Sequence, residues 1–390
     1  MRKLSRRELG ALAAGMAAAG SRTGARAQSP RRTSYIGPLT GMDTGLDGRG
    51  FDPVAYTKTL YDAAPRRLRF NARSREEAES WQRALGARLT ELLGGFPSRR
   101  SPLKPVTLET RSFPTYRREK IVFDSRPGLS VLAYVLVPSA ATTPVPAVVC
   151  IPGHGRGVDD IVGIDDEGRD RTNRVGYEYD FAVQVVDAGL AAVAIEPMGF
   201  GCRRDALNAQ QGLTRKACEP VAGGALLVGE TMIGWRVWDV MRTVDYIATR
   251  ADLDATRVGC MGISGGGTAT LFAAALEPRI RAAMVSGYLN TFRDSIGSLA
   301  HCIDNYVPGI LNWAEMYDIA GLVAPRALFV ESGERDNIFP IASSLESFKH
   351  VQEIYRVFGA ADRIEQEVFP ADHSFWGRRG VPFMARQLTS

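Results

Sequence analysis

Apolar and polar positions follow two alternating patterns from Pro105 to the end of the chain. Short uninterrupted apolar runs are typical of strands buried on both faces of a parallel sheet, and apolar residues at every third or fourth position are typical of amphipathic helices. The predicted strands are 106–111, 119–123, 131–137, 147–151, 191–195, 258–262, 282–286, 327–332 and 364–369. The predicted helices are 179–187, 231–248, 265–276 and 343–358. This order predicts an α/β fold with a doubly wound, mostly parallel sheet over 105–390.

Residues 28–104 show a different pattern, which is polar and rich in arginine. One helical face over 80–93 carries Trp81, Leu85, Leu89 and Leu92. Because a helix of this length is not stable in water by itself, we expect it to lie against the residues that follow it. The predicted organisation is therefore an N-terminal, largely helical extension over 28–104, followed by the α/β domain.

The first 27 residues have the features of an export signal. Arg6-Arg7 precedes an alanine-rich apolar stretch over 9–19, and Ala25-Arg26-Ala27 has the small-x-small pattern of a cleavage site. We expect a twin-arginine signal peptide over 1–27, the twin-arginine export machinery as a partner, and a periplasmic or secreted location. The apolar stretch is too short for a membrane span, so no stable membrane anchor is expected. A disordered basic tail is the alternative.

The formal net charge of +5 lies in the same segment. Residues 1–27 hold six of the 48 Lys and Arg residues and one of the 43 Asp and Glu residues, which leaves 42 bases and 42 acids in the rest of the chain. A neutral remainder gives no electrostatic basis for binding nucleic acid or an anionic membrane.

The five cysteines give no sign of a cofactor or metal centre, because none of them has CxxC or zinc-type spacing. Cys150 and Cys260 lie in apolar runs and are expected to be buried thiols. Cys202 and Cys218 flank a polar loop, and the sequence leaves open whether they form a disulfide. The acidic residues over 159–170 lack the alternating ligands of a calcium loop. We therefore expect no metal and no cofactor.

The most informative motif is Gly262-Ile263-Ser264-Gly265-Gly266, which joins a predicted strand to a predicted helix. Glycines are needed at so tight a turn because a Cβ has no room, and the turn lifts the serine hydroxyl above the sheet edge. Backbone N–H groups at a helix N-terminus favour developing negative charge. Ser264 is therefore the predicted nucleophile, and the N–H of Gly265 is one predicted donor of an oxyanion hole.

A serine nucleophile needs a base, for which histidine is the usual residue at neutral pH. The chain has only His154, His301, His350 and His373. His373 follows the last predicted strand at the same sheet edge as Ser264 and is the predicted base. His350 is expected on a helix surface, and His301 has no clear geometric role.

The third catalytic residue is expected between the serine and the histidine in chain order. Asp336 follows the strand over 327–332 and is the predicted acid, which would orient the imidazole of His373. Glu334 in the same loop is the alternative. Asp372 is too close to His373 in sequence to orient it easily and is expected to be solvated.

The loops at this sheet edge are predicted to form the pocket. The glycine-rich loop 151–157 is expected to supply the second oxyanion donor from Gly155 or Arg156, while its His154 orders the loop or contacts the substrate. Two charged loops, 155–177 and 199–229, differ from the apolar lids of lipases and favour a polar substrate.

Three further residues are weaker candidates for substrate contact. Arg203 and Arg204 could bind a carboxylate or a sugar, and a solvated loop face is the alternative. Glu196 ends a predicted strand at the active edge and is expected to orient the following turn, with substrate contact as the alternative.

Four motifs together resemble the α/β-hydrolase superfamily: Gly-Ile-Ser-Gly-Gly at 262–266, Pro-Gly-His-Gly at 152–155, Gly-Glu-Arg-Asp at 333–336 and Asp-His-Ser-Phe at 372–375. Over 105–375 the chain is similar to the bacterial acetyl-xylan-esterase and dienelactone-hydrolase-like branch. The resemblance implies a serine esterase acting through an acyl-enzyme on a small-molecule or saccharide ester, with Ser264, His373 and Asp336 as the triad. Dienelactone hydrolases proper use a cysteine nucleophile, so the serine argues against their reaction.

Two other functions stay open at this point. A prolyl-oligopeptidase-like serine peptidase shares these motifs, but such enzymes usually carry a propeller domain, for which the residues before 105 are too few. A non-catalytic binding protein on the same scaffold is the second, although all three catalytic positions are filled.

Overall fold

A nine-stranded sheet with helices on both faces forms the core of the fold. The computed structural model describes residues 37–40, 48–141, 144–212 and 217–389. The chain divides into two units, Met1–Phe51 and Asp52–Ser390, and the sheet belongs to the second. The export signal predicted over 1–27 lies outside the described residues and stays a prediction. Among the helices that are described, none is both long enough and apolar enough to cross a membrane.

The strands and helices follow the predicted order. The strands are β1 Val106–Ser112, β2 Tyr116–Arg126, β3 Leu129–Pro138, β4 Val145–Ile151, β5 Ala191–Ile195, β6 Leu253–Ile263, β7 Ile280–Ser286, β8 Ala327–Gly333 and β9 Ile364–Phe369. The helices of the described residues are α1 Pro53–Asp62, α2 Arg75–Leu92, α3 Phe181–Asp187, α4 Ala206–Ala209, α5 Cys218–Leu227, α6 Met232–Ile247, α7 Gly265–Leu276, α8 Met316–Gly321, α9 Ile341–Val357 and α10 Gly380–Thr389.

Five of these helices, α1, α4, α5, α8 and α10, are not predicted by the apolar periodicity. α1 buries none of its residues, and α5 buries only Cys218, Ala222 and Ala225, so neither has a clear apolar stripe. α4 and α8 are too short for a repeating pattern to be detected. The remaining predicted elements differ from the observed ones only at their ends.

The sheet order is β1-β2-β3-β5-β4-β6-β7-β8-β9. Pairing is antiparallel from β1 to β5 and parallel across the other pairs, from β5 through β4 to β9. The predicted mostly parallel, doubly wound α/β fold is thereby confirmed. Parallel strands end at one edge of a sheet, so the loops after β4, β6, β7, β8 and β9 meet there.

Alternate residues of each parallel strand pack on opposite faces, as strand geometry requires. Val149 of β4 belongs to the apolar cluster formed with α2, α6, α7 and α9, whereas Val148 belongs to the cluster formed with α3 and α10. The strands are therefore buried on both sides, which explains their uninterrupted apolar sequences.

Helix α2 packs into the first of these clusters. Trp81, Leu85 and Leu89 are buried, and the Trp81 indole N–H donates to the Leu68 carbonyl at 2.7 Å. Gln82 Nε2 donates to the Ala324 carbonyl, also at 2.7 Å. Each buried apolar side chain contributes about 1.5–3 kcal/mol relative to exposure. The expectation that this helix lies against the residues that follow is confirmed.

Candidate functional site

Ser264 lies on the tight turn between β6 and α7. Its φ of 56° and ψ of −122° define a backbone conformation that L-residues rarely adopt. The Ser264 N–H donates to the Ser286 carbonyl at the end of β7 at 3.0 Å, and the Ser264 carbonyl accepts from the Thr268 N–H at 2.8 Å. Bonds on both sides of the residue therefore hold it in this strained conformation.

Two glycines make the turn possible. A Cβ on Gly262 would lie 2.6 Å from the carbonyl oxygen of Ile151, and a Cβ on Gly266 would lie 2.0 Å from the same oxygen. Any side chain at either position would push β4 away from the turn. The predicted need for glycine at 262 and 266 is confirmed.

Buried Asp336 and half-buried His373 form a pair in the loops after β8 and β9. Asp336 Oδ2 lies 2.7 Å from His373 Nδ1, and Asp336 Oδ1 accepts from the N–H groups of Ile338 and Phe339 at 2.9 and 3.0 Å. Because the carboxylate can only accept, the network assigns a proton to Nδ1 and leaves Nε2 as a proton acceptor.

The imidazole of His373 is held by two aromatic rings. It stacks on Tyr177 with the ring centroids 5.9 Å apart and on Phe339 with the centroids 5.6 Å apart. Its Nε2 is buried and makes no hydrogen bond to any residue that the structure describes. Buried polar atoms are seldom left unpartnered, so this nitrogen has the state required of a base that receives its proton from a reacting group.

Ser264 and His373 line one cavity of about 260 Å³. The other lining residues are His154, Tyr177, Ala300, His301, Cys302, Asn305, Ile338 and Phe339. The wall therefore combines imidazole, amide and phenol groups with apolar side chains. A larger groove of about 630 Å³, between 65–71 and α2, contains none of these residues.

The alternative acids point elsewhere. Glu334 is exposed, and so is Asp372, which forms an ion pair with Arg335 at 3.0 Å. The structure therefore brings only Asp336, of the carboxylates proposed from the sequence, into contact with His373.

Glu331 supports the loop that carries His373. It is fully buried in β8, and its carboxylate accepts from the N–H groups of Trp376 and Gly377, each at 2.9 Å, and from the Ser286 hydroxyl at 2.7 Å. Burial raises the pKa of Glu331 to about 7. Sequence reasoning missed this residue, because a carboxylate inside an apolar strand has no motif of its own.

The loop after β4 runs directly beside Ser264. A Cβ on Gly153 would lie 3.1 Å from the Cβ of Ser264 and 2.2 Å from the hydroxyl of Tyr177. The Gly153 N–H donates to buried Glu178 at 2.6 Å. Glycine is thus required here for the close approach of the loop to the nucleophile.

This loop holds the N–H groups from which a second oxyanion donor was expected. The Arg156 N–H donates to the Asp160 carboxylate at 2.8 Å, so it is engaged and does not fit the predicted role. The N–H groups of His154 and Gly155 make no hydrogen bond within the described part of the chain. The N–H of Gly155 therefore stays a candidate for the second oxyanion donor, and the N–H of His154 is a further candidate. As the first residue of α7, Gly265 has an N–H with no partner in its helix.

The side chain of His154 also lines the cavity. Its Nε2 lies 3.2 Å from Asp304 Oδ2, and its ring meets Phe200 edge-on at 5.0 Å between centroids. Burial lowers the pKa of the imidazole, but the Asp304 carboxylate outweighs this effect and raises it to about 9. The ring also lies against Gly265, where a Cβ would be 3.0 Å from Nδ1.

Three candidates for substrate contact do not line the cavity. The Arg203 side chain is 6% exposed and forms an ion pair with Asp239 at 2.7 Å, so it is neither a substrate clamp nor solvated. Arg204 donates to backbone carbonyls of its own loop. Glu196 is buried, accepts from the Val158 N–H at 3.0 Å, and has a pKa that burial raises to about 8. It orients the loops around it, as expected from its place at the end of β5.

The charged loops contribute little to the cavity wall. Of the loop 155–177 only Tyr177 lines the cavity, and 199–229 supplies none of its described lining residues. Acidic side chains of the first loop are engaged instead in ion pairs, including Arg118–Asp170 and Arg156–Asp160. Of the two loops predicted to form the pocket, the described wall therefore includes one residue, Tyr177.

The segment between β7 and α8 supplies lining residues that sequence reasoning missed. His301, Cys302 and Asn305 come from this segment, and His301 Nε2 lies 2.8 Å from the Ser295 hydroxyl. Burial lowers the pKa of His301. The segment has no strand or helix periodicity, so nothing in the sequence placed these residues at the sheet edge.

The cysteines divide into buried thiols and a cluster. Cys150 and Cys260 are buried, as predicted, and burial raises the pKa of Cys260 to about 12. Cys202 is exposed and Cys218 is buried, and no disulfide joins them. Cys218 lies instead in a group with His154, Cys302 and Asp304, whose ligand atoms are all within 4.8 Å of one another.

A model of the Abhydrolase family matches residues 54–372. A Bacillus subtilis (strain 168) protein that is provisionally named hydrolase YtaP is 27% identical over 283 residues, which cover 70% of this chain and 88% of the relative.

Similar folds occur among solved structures. A Bacteroides fragilis NCTC 9343 protein, provisionally described as an acetyl xylan esterase, has a TM-score of 0.69 at 22% identity and 83% coverage of both chains. A glucuronoyl esterase from Solibacter usitatus has a TM-score of 0.62 at 15% identity, covering 83% of this chain and 97% of that chain. A glucuronoyl esterase from Teredinibacter turnerae T7901 has a TM-score of 0.58 at 20% identity, covering 84% and 90%. At these identities the likeness shows a shared fold.

Proposed function

The chain belongs to the Abhydrolase family, and from that premise we propose that it is a serine esterase that hydrolyses carboxylic esters through an acyl-enzyme. Ser264 is the nucleophile, His373 the general base and Asp336 the acid that orients it. One observation carries the proposal: the Asp336–His373 pair leaves a buried, unpartnered Nε2 on the cavity that Ser264 lines from a strained turn.

The reaction begins at the ester carbonyl carbon. The Ser264 hydroxyl attacks it while His373 Nε2 takes the hydroxyl proton, and Asp336 stabilises the imidazolium that forms. The carbonyl oxygen becomes an oxyanion beside the N–H of Gly265 and an N–H of the loop after β4, at His154 or Gly155. Collapse expels the alcohol, which leaves with the proton from His373.

Deacylation repeats the same steps with water. His373 removes a proton from the water, which attacks the acyl carbonyl, and the proton returns to the Ser264 oxygen as the acid is released. One ester and one water thus give one alcohol and one acid. No further co-reactant is needed.

A polar, saccharide-like ester is the substrate class that we propose. The cavity of about 260 Å³ is small, and its wall includes the imidazole of His301 beside Ser264 and His373. The solved structures named above as an acetyl xylan esterase and glucuronoyl esterases support this class. An acetylated sugar is the form that we expect to be turned over best.

A fluorophosphonate probe tests the nucleophile. We expect covalent labelling of the full chain, loss of labelling in Ser264→Ala, and unchanged labelling in Ser139→Ala, whose serine is exposed. Absence of labelling in the parent protein would favour a binding protein. Turnover is then compared for acetylated sugars, methyl glucuronate esters, aryl esters and prolyl amides, and a preference for prolyl amides would replace the esterase by a peptidase.

Export is a separate proposal that rests on the sequence of residues 1–27 alone. Arg6→Lys together with Arg7→Lys is expected to retain the protein in the cytoplasm if the twin-arginine machinery exports it, as measured by cell fractionation. Equal export of the parent and the variant would contradict it.

A further inference from the structure

Four side chains from three distant segments converge beside the catalytic cavity. His154 lies in the loop after β4, Cys218 is the first residue of α5, and Cys302 and Asp304 lie between β7 and α8. One ligand atom from each falls within 4.8 Å of all the others. Their separation along the chain explains why cysteine spacing gave no sign of such a group. The four residues are called the cysteine cluster below.

The distances among His154, Cys218 and Asp304 are close to those of a tetrahedral metal site. His154 Nε2 lies 3.2 Å from Asp304 Oδ2 and 3.7 Å from Cys218 Sγ, and Cys218 Sγ lies 3.8 Å from Asp304 Oδ2. Ligand bonds of about 2.0–2.3 Å in a tetrahedron place neighbouring ligand atoms about 3.3–3.8 Å apart. Three of the four ligand atoms are thus already near tetrahedral separations, and Cys302 Sγ lies within 4.8 Å of each of them.

The ligands are supported by residues around them, as in established metal sites. Arg236 Nη1 donates to Asp304 Oδ2 at 2.5 Å, and Asn305 Nδ2 donates to Asp304 Oδ1 at 3.0 Å. Arg236 is itself fixed by a hydrogen bond from Nη2 to the Met198 carbonyl at 2.7 Å. Cys218 and Asp304 are almost fully buried, which limits access of water to the site.

Charge and ligand chemistry select the ion. Thiolate and imidazole ligands favour zinc over calcium and magnesium, which prefer oxygen. Two thiolates and one carboxylate bring three negative charges, which a divalent cation and the buried Arg236 guanidinium balance. Binding releases the two thiol protons and the proton on His154 Nε2 to solvent, and leaves a neutral imidazole as ligand.

We propose that His154, Cys218, Cys302 and Asp304 bind one Zn²⁺ ion. With four protein ligands the site has no open position, so its role is structural. The ion would join the loop after β4 to α5 and to the segment before α8. Because the ring of His154 lies against Gly265, the ion would brace the loop next to the nucleophile. This replaces the expectation of no metal, which rested on sequence spacing.

Metal content of the purified full chain tests the proposal directly. We expect about one zinc per chain under reducing conditions, and we expect the Cys218→Ser and Cys302→Ser variants each to bind zinc at least about tenfold more weakly, measured by competition with a chromophoric chelator. Cys202→Ser is the matched control, because Cys202 lies outside the cysteine cluster, and its zinc content should equal that of the parent.

Cobalt substitution keeps the test decisive if a variant fails to fold. Co²⁺ added to the parent protein is expected to give thiolate-to-cobalt charge-transfer bands and the visible spectrum of a tetrahedral site. A parent protein without zinc and without these bands, or a Cys218–Cys302 disulfide found by mass spectrometry after alkylation, would overturn the proposal. Fluorophosphonate labelling of Ser264 in the same samples shows independently whether the proposed hydrolase site is intact.

Discussion

Two histidine–carboxylate pairs lie at the same cavity and differ in what surrounds them. In the first, His373 Nδ1 lies 2.7 Å from Asp336, and Nε2 of the ring has no hydrogen-bond partner among the described residues. In the second, His154 uses Nε2 itself to meet Asp304 at 3.2 Å. The same two side-chain types therefore direct Nε2 into the cavity in the first pair and towards the carboxylate in the second.

The carboxylates explain the difference. Asp336 accepts from two backbone N–H groups in its own loop, and among the described residues the imidazole of His373 is the one side chain that it contacts by a hydrogen bond. Asp304 is shared between His154 and the buried Arg236. Burial raises the pKa of Asp304, but these two neighbours have the larger effect, and the net pKa is well below the usual value. In the proposed mechanism Asp336, with one imidazole partner, orients the base, whereas Asp304 holds two partners together.

Breaking the first pair is expected to have the largest effect. Asp336→Asn removes the acceptor that fixes the tautomer of His373, and kcat should fall about 10⁴-fold on an acetyl ester with little change in KM. Glu334→Gln is the matched control, because that carboxylate lies in the same loop and is exposed. A comparable loss in the control would show that the acid had been assigned to the wrong residue.

Breaking the second pair should affect stability instead. Arg236→Met leaves Asp304 buried without its guanidinium partner, and loss of one partner of a buried ion pair costs about 3–5 kcal/mol in the free energy of unfolding. Urea unfolding of the parent and the variant, with zinc removed from both, measures this loss in the free energy of unfolding.

The control for this variant is Arg335→Met. Its ion pair with Asp372 is 60% and 77% exposed at the two side chains, and an exposed pair contributes less than about 1 kcal/mol. Similar losses in the two variants would mean that Asp304 tolerates burial without Arg236 and that the contrast between the carboxylates is misjudged.

The first pair was predictable from the sequence, because each of its residues follows an apolar strand. Ser264, Asp336 and His373 come after β6, β8 and β9, and parallel strands bring such residues to one edge whatever the loops do. The sheet itself was predictable for the same reason, since burial on both faces produces uninterrupted apolar runs.

The second pair and the rest of the cysteine cluster were not predictable, because the positions of these residues depend on loop conformation. Asp304 and Cys302 lie in a segment without apolar periodicity, and Cys218 begins a helix composed largely of small residues. Arg203 was mispredicted for the same reason. Its sequence context is that of a polar loop, yet its guanidinium is buried against Asp239. Contacts between residues that are distant in the sequence produce no pattern in the local sequence.

Glu331 is a third buried carboxylate at this sheet edge, and its pKa shifts in the direction opposite to that of Asp304. Glu331 faces no cation among its hydrogen-bond partners, so burial raises its pKa from 4.5 to about 7, opposite to Asp304. Between pH 4.5 and about pH 7, Glu331 is protonated in the folded chain and ionised in the unfolded chain. The stabilisation is therefore fully present below pH 4.5 and is lost as the pH rises through about 7, by roughly 3 kcal/mol in all.

Glu331→Gln should remove this dependence. The amide cannot ionise, so the difference in free energy of unfolding between parent and variant should fall by roughly 3 kcal/mol from pH 4.5 to pH 8, as measured by urea unfolding at each pH. Other buried carboxyl groups titrate in both proteins and cancel in the difference. A difference that stays constant with pH would mean that the N–H groups of Trp376 and Gly377 keep Glu331 ionised despite its burial, and that a cation is not needed to hold a buried carboxylate at this sheet edge.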